Sequence, residues 1–387
     1  MNIIFLFDYP IIPYRGGVER VTYLLGEELR KRGYVVYYYC SNTSNIIASD
    51  ILSNYQIYAP ESHTLQERKL YFSRFIRNNS IRVIINQTMV QNSIDLLKNV
   101  PDNIKIVTCC HIQPFCIQGK ADFILPYSRV KGWKGWIYNW FCRIFHSYYY
   151  RKNRILEAQA FTIALEVSDY LCLLSQHFIE RLNRYMSVTK PEKLIAIPNP
   201  CVIRNVEESE RERLIIWVGR QSNAEKNIPA FIDIWNEIHR SRQDWRALII
   251  GDGPDIEYNR LYAKKVGAKN IDFVGSVSNV EEYYQRAAFI GLTSTCEGWG
   301  MVLVEAMSYG CIPFCYDTYE SLRDIIDDGL NGLISPPHDF TRIARKVVKV
   351  IDDESLFLKM SHNAKQKAKA FSVETIVNLW ESVLKVS

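Results

Sequence analysis

Leu214-Ile-Ile-Trp-Val-Gly-Arg-Gln-Ser-Asn-Ala-Glu-Lys226-Asn227 decides the architecture. A short apolar run ends on glycine, passes through a polar loop and enters a helix. This restarts an alternation that already runs through the first half of the chain. There, short apolar runs at 3–7, 35–40, 83–85, 106–109, 170–174 and 194–197 read as strands. Segments 18–32, 65–77 and 93–97 between them carry helical spacing. In the first, Val21, Leu24, Leu25 and Leu29 share one face, and Glu27, Glu28, Arg30 and Lys31 cover the other. Ser175 is placed to cap a helix reaching about 186. The charged segment 204–213 reads as a linker. Beyond it, strands are expected at 214–218, 247–250, 271–274 and 289–293, with helices at 301–309, 321–327 and 341–351. Apolar runs spaced by helices indicate parallel sheets buried on both faces. Two such blocks predict an α/β chain of two doubly wound, Rossmann-like domains facing each other across a cleft. Ligands in these folds sit at the carboxyl ends of the strands.

The bulk numbers agree. The chain has 387 residues, ordinary for two domains, and is 48% hydrophobic and 23% charged, which permits large cores. A net charge of +5 is too mild to argue for nucleic acid, and no such partner is expected. The opening residues read as a strand rather than a signal peptide, and no apolar run spans a membrane as a simple helix. The 10 cysteines sit mostly inside apolar runs and form no CxxC, so buried free thiols in a reducing cytoplasm are expected. No HExxH and no Asp-x-Asp occurs, so no metal site is expected.

Chemistry concentrates at strand ends. Gly16-Gly17 lies between the first strand and first helix, where a backbone can approach a phosphate or sugar; an ordinary turn is the alternative. Glu19 is placed to order that loop or cap the helix. His111 follows its strand directly and suits a sugar hydroxyl or phosphate oxygen, or is a satisfied structural histidine. Gly219-Arg220 and Lys226 bring a fork and a point charge suited to a diphosphate. Gly251-Asp-Gly253 forms a tight turn near the same edge. The sharpest signal is Thr293-Ser-Thr-Cys-Glu297-Gly-Trp-Gly-Met-Val-Leu-Val-Glu305, two glutamates separated by seven residues. Glu297 precedes a loop at a helix entrance, and Glu305 lies inside that helix. One carboxylate beside sugar hydroxyls and one beside a ribose fit this spacing, with helix-start amides for phosphate. A buried Glu305 serving packing alone is disfavoured by the cost of an unpaired charge.

These residues resemble the retaining glycosyltransferases of family 4, whose fold is GT-B and whose motif is E-x7-E. The match runs over nearly the whole chain. The resemblance implies that Glu297 contacts the donor sugar, aided by the backbone of Gly298, Trp299, Gly300 and Met301. It implies that Glu305 holds the ribose, and that Arg220 and Lys226 support the leaving nucleoside diphosphate. Gly17, with Gly16, Gly219 and Gly251, would approach the donor, and His111 would lie near a sugar hydroxyl. It implies no metal and no tightly bound cofactor. The expected domains are 1–203 for the acceptor, 204–371 for the nucleotide-sugar, and 372–387 as a helix crossing back to the first. The expected reaction moves a hexosyl or N-acetylhexosaminyl group from a nucleotide-sugar, UDP before GDP, to a glycan or lipid-linked glycan. A bacterial surface-polysaccharide role in the cytoplasm follows from the same resemblance. A sugar phosphorylase, a nucleotide-sugar epimerase and an inactive binding scaffold are the rivals on this fold.

One stretch departs from the family pattern. Residues 130–152 interleave Trp133, Trp136, Tyr138 and Trp140 with Lys131, Lys134, Arg143, Arg151 and Lys152. The pattern suits peripheral contact with the inner membrane or a groove for a lipid-linked acceptor, and equally an aromatic packing face.

Overall fold

The computed structural model describes residues 1–9, 11–12, 16–41, 57–58, 64–116, 146–204 and 211–385. The chain divides into two compact units. The first gathers Met1–Gln118, Ser147–Pro200 and Val373–Ser387, and the second is built on Cys201–Ser372.

The first unit holds seven strands: β1 (Asn2–Phe7), β2 (Val35–Cys40), β3 (Ile57–Tyr58), β4 (Ile81–Asn86), β5 (Lys105–Cys110), β6 (Tyr170–Leu173) and β7 (Leu194–Ala196). They lie in the order β3-β2-β1-β4-β5-β6-β7, every pair parallel. Ile3, Ile4, Phe5 and Leu6 on β1 are fully buried, as a central strand covered on both faces requires. The order reverses between β1 and β4, which makes that pair the switch point of the sheet. The Gly17–Lys31 helix follows β1. The Leu65–Asn78 helix opens with a capping box in which Thr64 and Glu67 satisfy each other's backbone N–H.

The second unit repeats the plan with β8 (Glu212–Val218), β9 (Arg246–Ile250), β10 (Ile271–Gly275), β11 (Ala287–Leu292), β12 (Ile312–Tyr316) and β13 (Leu333–Ser335). Their order is β10-β9-β8-β11-β12-β13, again all parallel, with the switch between β8 and β11. Trp217, Phe231, Trp235, Phe289, Phe314 and Val347 form one continuous core. The Ile228–Ser241 and Phe340–Ile351 helices pack together, and the Met301–Ser308 helix packs on Glu354–Lys369. Helices thus cover the sheet as the doubly wound plan requires.

Two expectations need correction, and a third stretch is seen only in part. The helix read at 321–327 is a single turn, Leu322–Ile325. The stretch set aside as interfacial ends in a helix of 22 residues, His146–Val167, that belongs largely to the first unit. Glu157 of that helix, beyond the 130–152 stretch, accepts the Phe115 N–H at 2.5 Å. Trp133, Trp136 and Trp140 lie outside the described residues. Finally, Cys40, Cys109, Cys110, Cys172, Cys201, Cys311 and Cys315 are buried free thiols, but Cys116 and Cys296 are each disulfide-bonded, against the expectation of thiols throughout.

The chain passes from the first unit to the second at 200–201 and returns at 372–373. The two passages are tied: the Cys201 N–H donates to the Phe371 carbonyl at 2.7 Å, in a parallel bridge between Cys201 and Ser372. The returning Val373–Leu384 helix buries Ile376, Val377, Trp380 and Leu384 against the first unit, alongside the Gly17–Lys31 helix. Arg32 fixes it by donating to Asn378 at 2.6 Å, Glu381 at 2.8 Å and the Glu374 carbonyl at 3.3 Å. Trp380→Ala is expected to destabilise the first unit by about 3 kcal/mol, through lost burial and the cavity left behind. A urea titration followed by circular dichroism measures this, and an unshifted midpoint would show that the helix is dispensable to the unit.

Candidate functional site

The switch point of the second unit places the loops after β8 and β11 side by side. After β8 come Gly219 and Arg220, then a single-turn helix, Asn223–Lys226. Asn227 adopts the left-handed conformation (φ 47°) and starts the next helix, with Pro229 in its first turn. After β11 comes Thr293-Ser-Thr. Its hydroxyls stitch the two loops together: Thr293 Oγ1 donates to the Asn227 carbonyl at 2.9 Å, and Thr295 Oγ1 to that of Ala224 at 2.9 Å. The Thr295 N–H adds a bond to the Glu225 carbonyl at 2.8 Å.

This stitching sets the main contact of the site. Lys226 Nζ meets Glu297 Oε1 at 2.5 Å, and Ser294 Oγ donates to the same oxygen at 2.6 Å. Both charged side chains are largely buried, 23% and 12% exposed, so the pair is partly desolvated and stronger than a surface pair. Arg220 is exposed and makes no ion pair with a described residue.

Past Glu297 the chain turns at Gly300, which has φ +80° and precedes the Met301–Ser308 helix. A Cβ here would lie 2.8 Å from Tyr319 Oη, so both backbone angle and space demand glycine. Gly300 offers no side chain to cap the helix, which leaves its first amides to an outside acceptor. Ser321 Oγ holds the Gly298 carbonyl at 2.9 Å, and Thr318 Oγ1 the Ser294 carbonyl at 2.5 Å. The Trp299 side chain turns inward: it is buried, its ring edge-on to Phe371 at 5.2 Å. Its side chain therefore serves the packing of the loop, and its backbone lies with that of Gly298 and Met301 at the helix entrance. Glu305 is buried one turn into the helix, and Tyr284 Oη donates to its Oε2 at 3.1 Å.

Gly251 and Gly253 have a different reason to be glycine. A Cβ on Gly251 would lie 2.0 Å from the Gly219 carbonyl oxygen, and one on Gly253 2.4 Å from that of Gln221. Two loop backbones pack directly on each other here. Gln221, fully buried, locks them by donating to the Gly251 carbonyl at 2.8 Å and accepting from Asn259 at 3.0 Å.

In the first unit, Gly16 caps the helix in an extended conformation (φ −160°), and a Cβ there would lie 2.6 Å from the buried Glu19 carboxylate. Glu19 thus folds back over the loop. Pro13, Tyr14 and Arg15 of the same loop lie outside the described residues. His111 follows β5, and its Nε2 is paired with Gln87 Oε1 at the end of β4. Arg181 orders the next turn by donating to the Pro114 and Phe115 carbonyls at 2.6 and 3.0 Å. Burial pushes the His111 imidazole down to about 4, so it is neutral at pH 7. With Nε2–H donated to Gln87, Nδ1 is the acceptor of the ring, and it is buried with no hydrogen-bond partner among the described residues.

Sequence reasoning missed Tyr284, Gln87, Gln221, Ser294 and the flanking threonines. A Thr-Ser-Thr run between a buried strand and a glutamate was the one visible signal. Among the described residues no group of three His, Cys, Asp or Glu is placed to hold a metal, and no helix is long and apolar enough to cross a membrane.

Comparison with known proteins relates the chain to two family models and to solved structures of the same fold. A model of glycosyl transferases group 1 matches residues 202–370, and one of glycosyltransferase family 4 matches 15–202. The solved structure of Anabaena Alr3699/HepE in complex with UDP superposes with a TM-score of 0.74 over 99% of both chains at 15% identity. The chain is a glycosyltransferase of the GT-B fold, related to the members of both families. An uncharacterized glycosyltransferase of Haemophilus influenzae is 21% identical over 95% of this chain and 96% of its own. The GalNAc-alpha-(1->4)-GalNAc-alpha-(1->3)-diNAcBac-PP-undecaprenol alpha-1,4-N-acetyl-D-galactosaminyltransferase of Campylobacter jejuni is 29% identical over 51% of this chain. This chain spans about half (55%) of that relative's length.

Two outcomes test the geometry. Gly300→Ala forces a left-handed alanine against Tyr319 and is expected to lower the melting temperature by several degrees, an effect of about 1–2 kcal/mol. For His111 the unfolded chain takes up a proton near 6.5 and the folded one only near 4. The folded state therefore loses stability as pH falls from about 6.5 to 4 and keeps it above that window. Denaturation at pH 7 and pH 5 should show a steeper loss for the wild type than for His111→Asn, and equal losses would refute the buried neutral imidazole.

Proposed function

We propose that this chain transfers a hexosyl or N-acetylhexosaminyl group, with retention of configuration, from a nucleotide-sugar to a glycan or lipid-linked glycan. A UDP-sugar is favoured as donor and a GDP-sugar next. The observation that carries the reading is the Lys226–Glu297 contact beside the uncapped start of the Met301–Ser308 helix. A cation and free helix amides suit a diphosphate, and a carboxylate within the same few ångströms suits the hydroxyls of the attached sugar.

The roles follow from charge. Lys226, and Arg220 by its fork, stabilise the negative charge that grows on the diphosphate as the sugar leaves. Glu297 trades its contact with Lys226 for sugar hydroxyls and aligns the anomeric carbon. Glu305 accepts from the ribose. His111, Gly16 and Gly17 in the first unit share in holding the donor, with Gly219 and Gly251 shaping the loops of the second. The departing phosphate oxygen takes the acceptor's proton on the same face, so no enzyme nucleophile is required. Catalysis is then electrostatic support plus alignment, with no metal and no bound cofactor. The UDP bound in the Anabaena structure supports the nucleotide assignment. The undecaprenol-linked substrate in the Campylobacter name supports a lipid-linked acceptor. A place in bacterial surface-polysaccharide assembly at the cytoplasmic face of the inner membrane is part of the same proposal.

The first test is thermal shift with UDP-, GDP-, ADP- and dTDP-sugars in the presence of EDTA. A single ligand at a hundred times its dissociation constant is expected to stabilise the protein by about 2.7 kcal/mol. Silence from all four would overturn the donor assignment. With the donor known, Glu297→Ala and Lys226→Ala are each expected to cut turnover by roughly 100-fold or more while the fold persists. Unchanged turnover in either removes that residue from the mechanism.

Membrane contact through residues 130–152 belongs to the same proposal. Tyr148, Arg151 and Lys152 are exposed at the start of the His146–Val167 helix, which supports it. Replacing Trp133, Trp136 and Trp140 by Ser is expected to abolish sedimentation with anionic liposomes and to leave nucleotide affinity intact. Persistent sedimentation would end the idea.

A further inference from the structure

Glu305 sits in a tyrosine frame that nothing in the motif announces. Tyr284 lies on the Glu281–Arg286 helix, fully buried, and reaches across to donate to Glu305 Oε2 at 3.1 Å. Tyr309, just past the end of the Met301–Ser308 helix, reaches back to donate to Glu281 Oε2 at 2.7 Å. The two helices are thus laced by a reciprocal pair of tyrosine–glutamate bonds, with the two rings 6.0 Å apart. The Glu281–Arg286 helix is itself anchored. Arg211 Nη1 donates to the carbonyls of Tyr284 at 2.8 Å, Gln285 at 2.6 Å and Ala287 at 3.2 Å. Ser308 Oγ closes the far side by donating to the Glu305 carbonyl at 2.6 Å.

We propose that Tyr284 is a positioning residue for ribose recognition: its buried hydroxyl fixes the Glu305 carboxylate in the orientation that accepts the ribose hydroxyls of the donor. This rests on the reading of Glu305 as the ribose acceptor. A carboxylate has about four acceptor positions, and one phenol occupies one of them. A Glu side chain otherwise carries three rotatable bonds, whose freedom a ligand would have to remove on binding. The Tyr284 bond removes part of it beforehand, in a buried setting where a hydrogen bond counts for more than in water. Tyr284 touches neither sugar nor phosphate in this scheme. Its effect appears only in how well the protein tells a ribose from a ring without hydroxyls.

The experiment compares the dissociation constants of UDP and GDP with those of their 2′,3′-dideoxy counterparts, by calorimetry on the full chain. For the better-bound base the wild type should favour the ribonucleotide by roughly tenfold or more. Glu305→Ala should bring that ratio close to one. Tyr284→Phe, which removes a single oxygen, should lower the ratio several-fold by weakening the ribonucleotide alone. Equal weakening of both nucleotides marks a merely structural role and overturns the proposal. A collapsed ratio in Glu305→Ala with a wild-type ratio in Tyr284→Phe also overturns it, while leaving Glu305 in place. A wild-type ratio in Glu305→Ala brings down the ribose assignment and this proposal with it. Should Tyr284→Phe fold poorly, 3-fluorotyrosine at 284 offers a more acidic hydroxyl at nearly the same volume. A changed ratio then supports the proposal, and an unchanged one counts against it.

Discussion

Lys226 and Glu297 stand 71 residues apart in the chain and touch because β8 and β11 are neighbours. The reversal of strand order between them leaves two loops emerging together with no crossover helix in the way. The backbone carbonyls of Ala224, Glu225, Lys226 and Asn227 in the first loop then receive Thr293 and Thr295, and the loops become one surface. Everything else at the site is measured from that seam. The Ser294 hydroxyl, the turn at Gly300 and the direction of the Met301–Ser308 helix all follow the path that the seam dictates.

The same pair sets the energetics of the resting protein. Each ion has given up much of its hydration, and each is compensated by the other, with Ser294 completing the carboxylate. Separating the charges without a substitute would be costly. A diphosphate offers Lys226 an equivalent anion, and sugar hydroxyls offer Glu297 equivalent donors. In the proposed reaction the ligand therefore replaces contacts instead of creating them from solvated groups. Such a site is organised before its ligand arrives, and little reorganisation remains for the reacting complex.

The alternation of apolar runs was legible because strands buried on both faces leave little choice of residue. The strands expected at 3–7, 35–40, 83–85 and 214–218 all fall within observed ones. Glu297, Glu305 and Lys226 were legible because charges beside a strand end or inside an apolar helix are costly without a use. Three kinds of feature were not. The inward turn of Trp299 depends on Phe371, a partner 72 positions away that no local pattern names. Gly251 looks like a ligand-facing turn, yet its nearest neighbour is the Gly219 backbone, and close approach of two loops leaves no periodic trace. Tyr284 reads as one aromatic in an ordinary helix, because its value lies in a single hydroxyl pointed at a residue on another helix. The His146–Val167 helix was obscured by its own composition. Aromatic and basic residues at its start suggest an interface, and its partly buried Glu157 shows that other turns of it serve the core.

The return of the chain at Ser372 has a consequence for the order in which this protein is made. Synthesis runs from the amino end, so the second unit is complete while the Val373–Leu384 helix is still to come. The first unit was begun earliest and is finished last. Until that helix arrives, Val21 and Leu25 on the Gly17–Lys31 helix lack the cover of Trp380, beside which they line a small cavity in the finished protein. A nascent chain therefore carries one finished half and one half with an open apolar face until the Val373–Leu384 helix has been made. Stalling there would expose that face to chaperones or to other chains. The tie between Cys201 and Phe371 holds the point from which that helix departs.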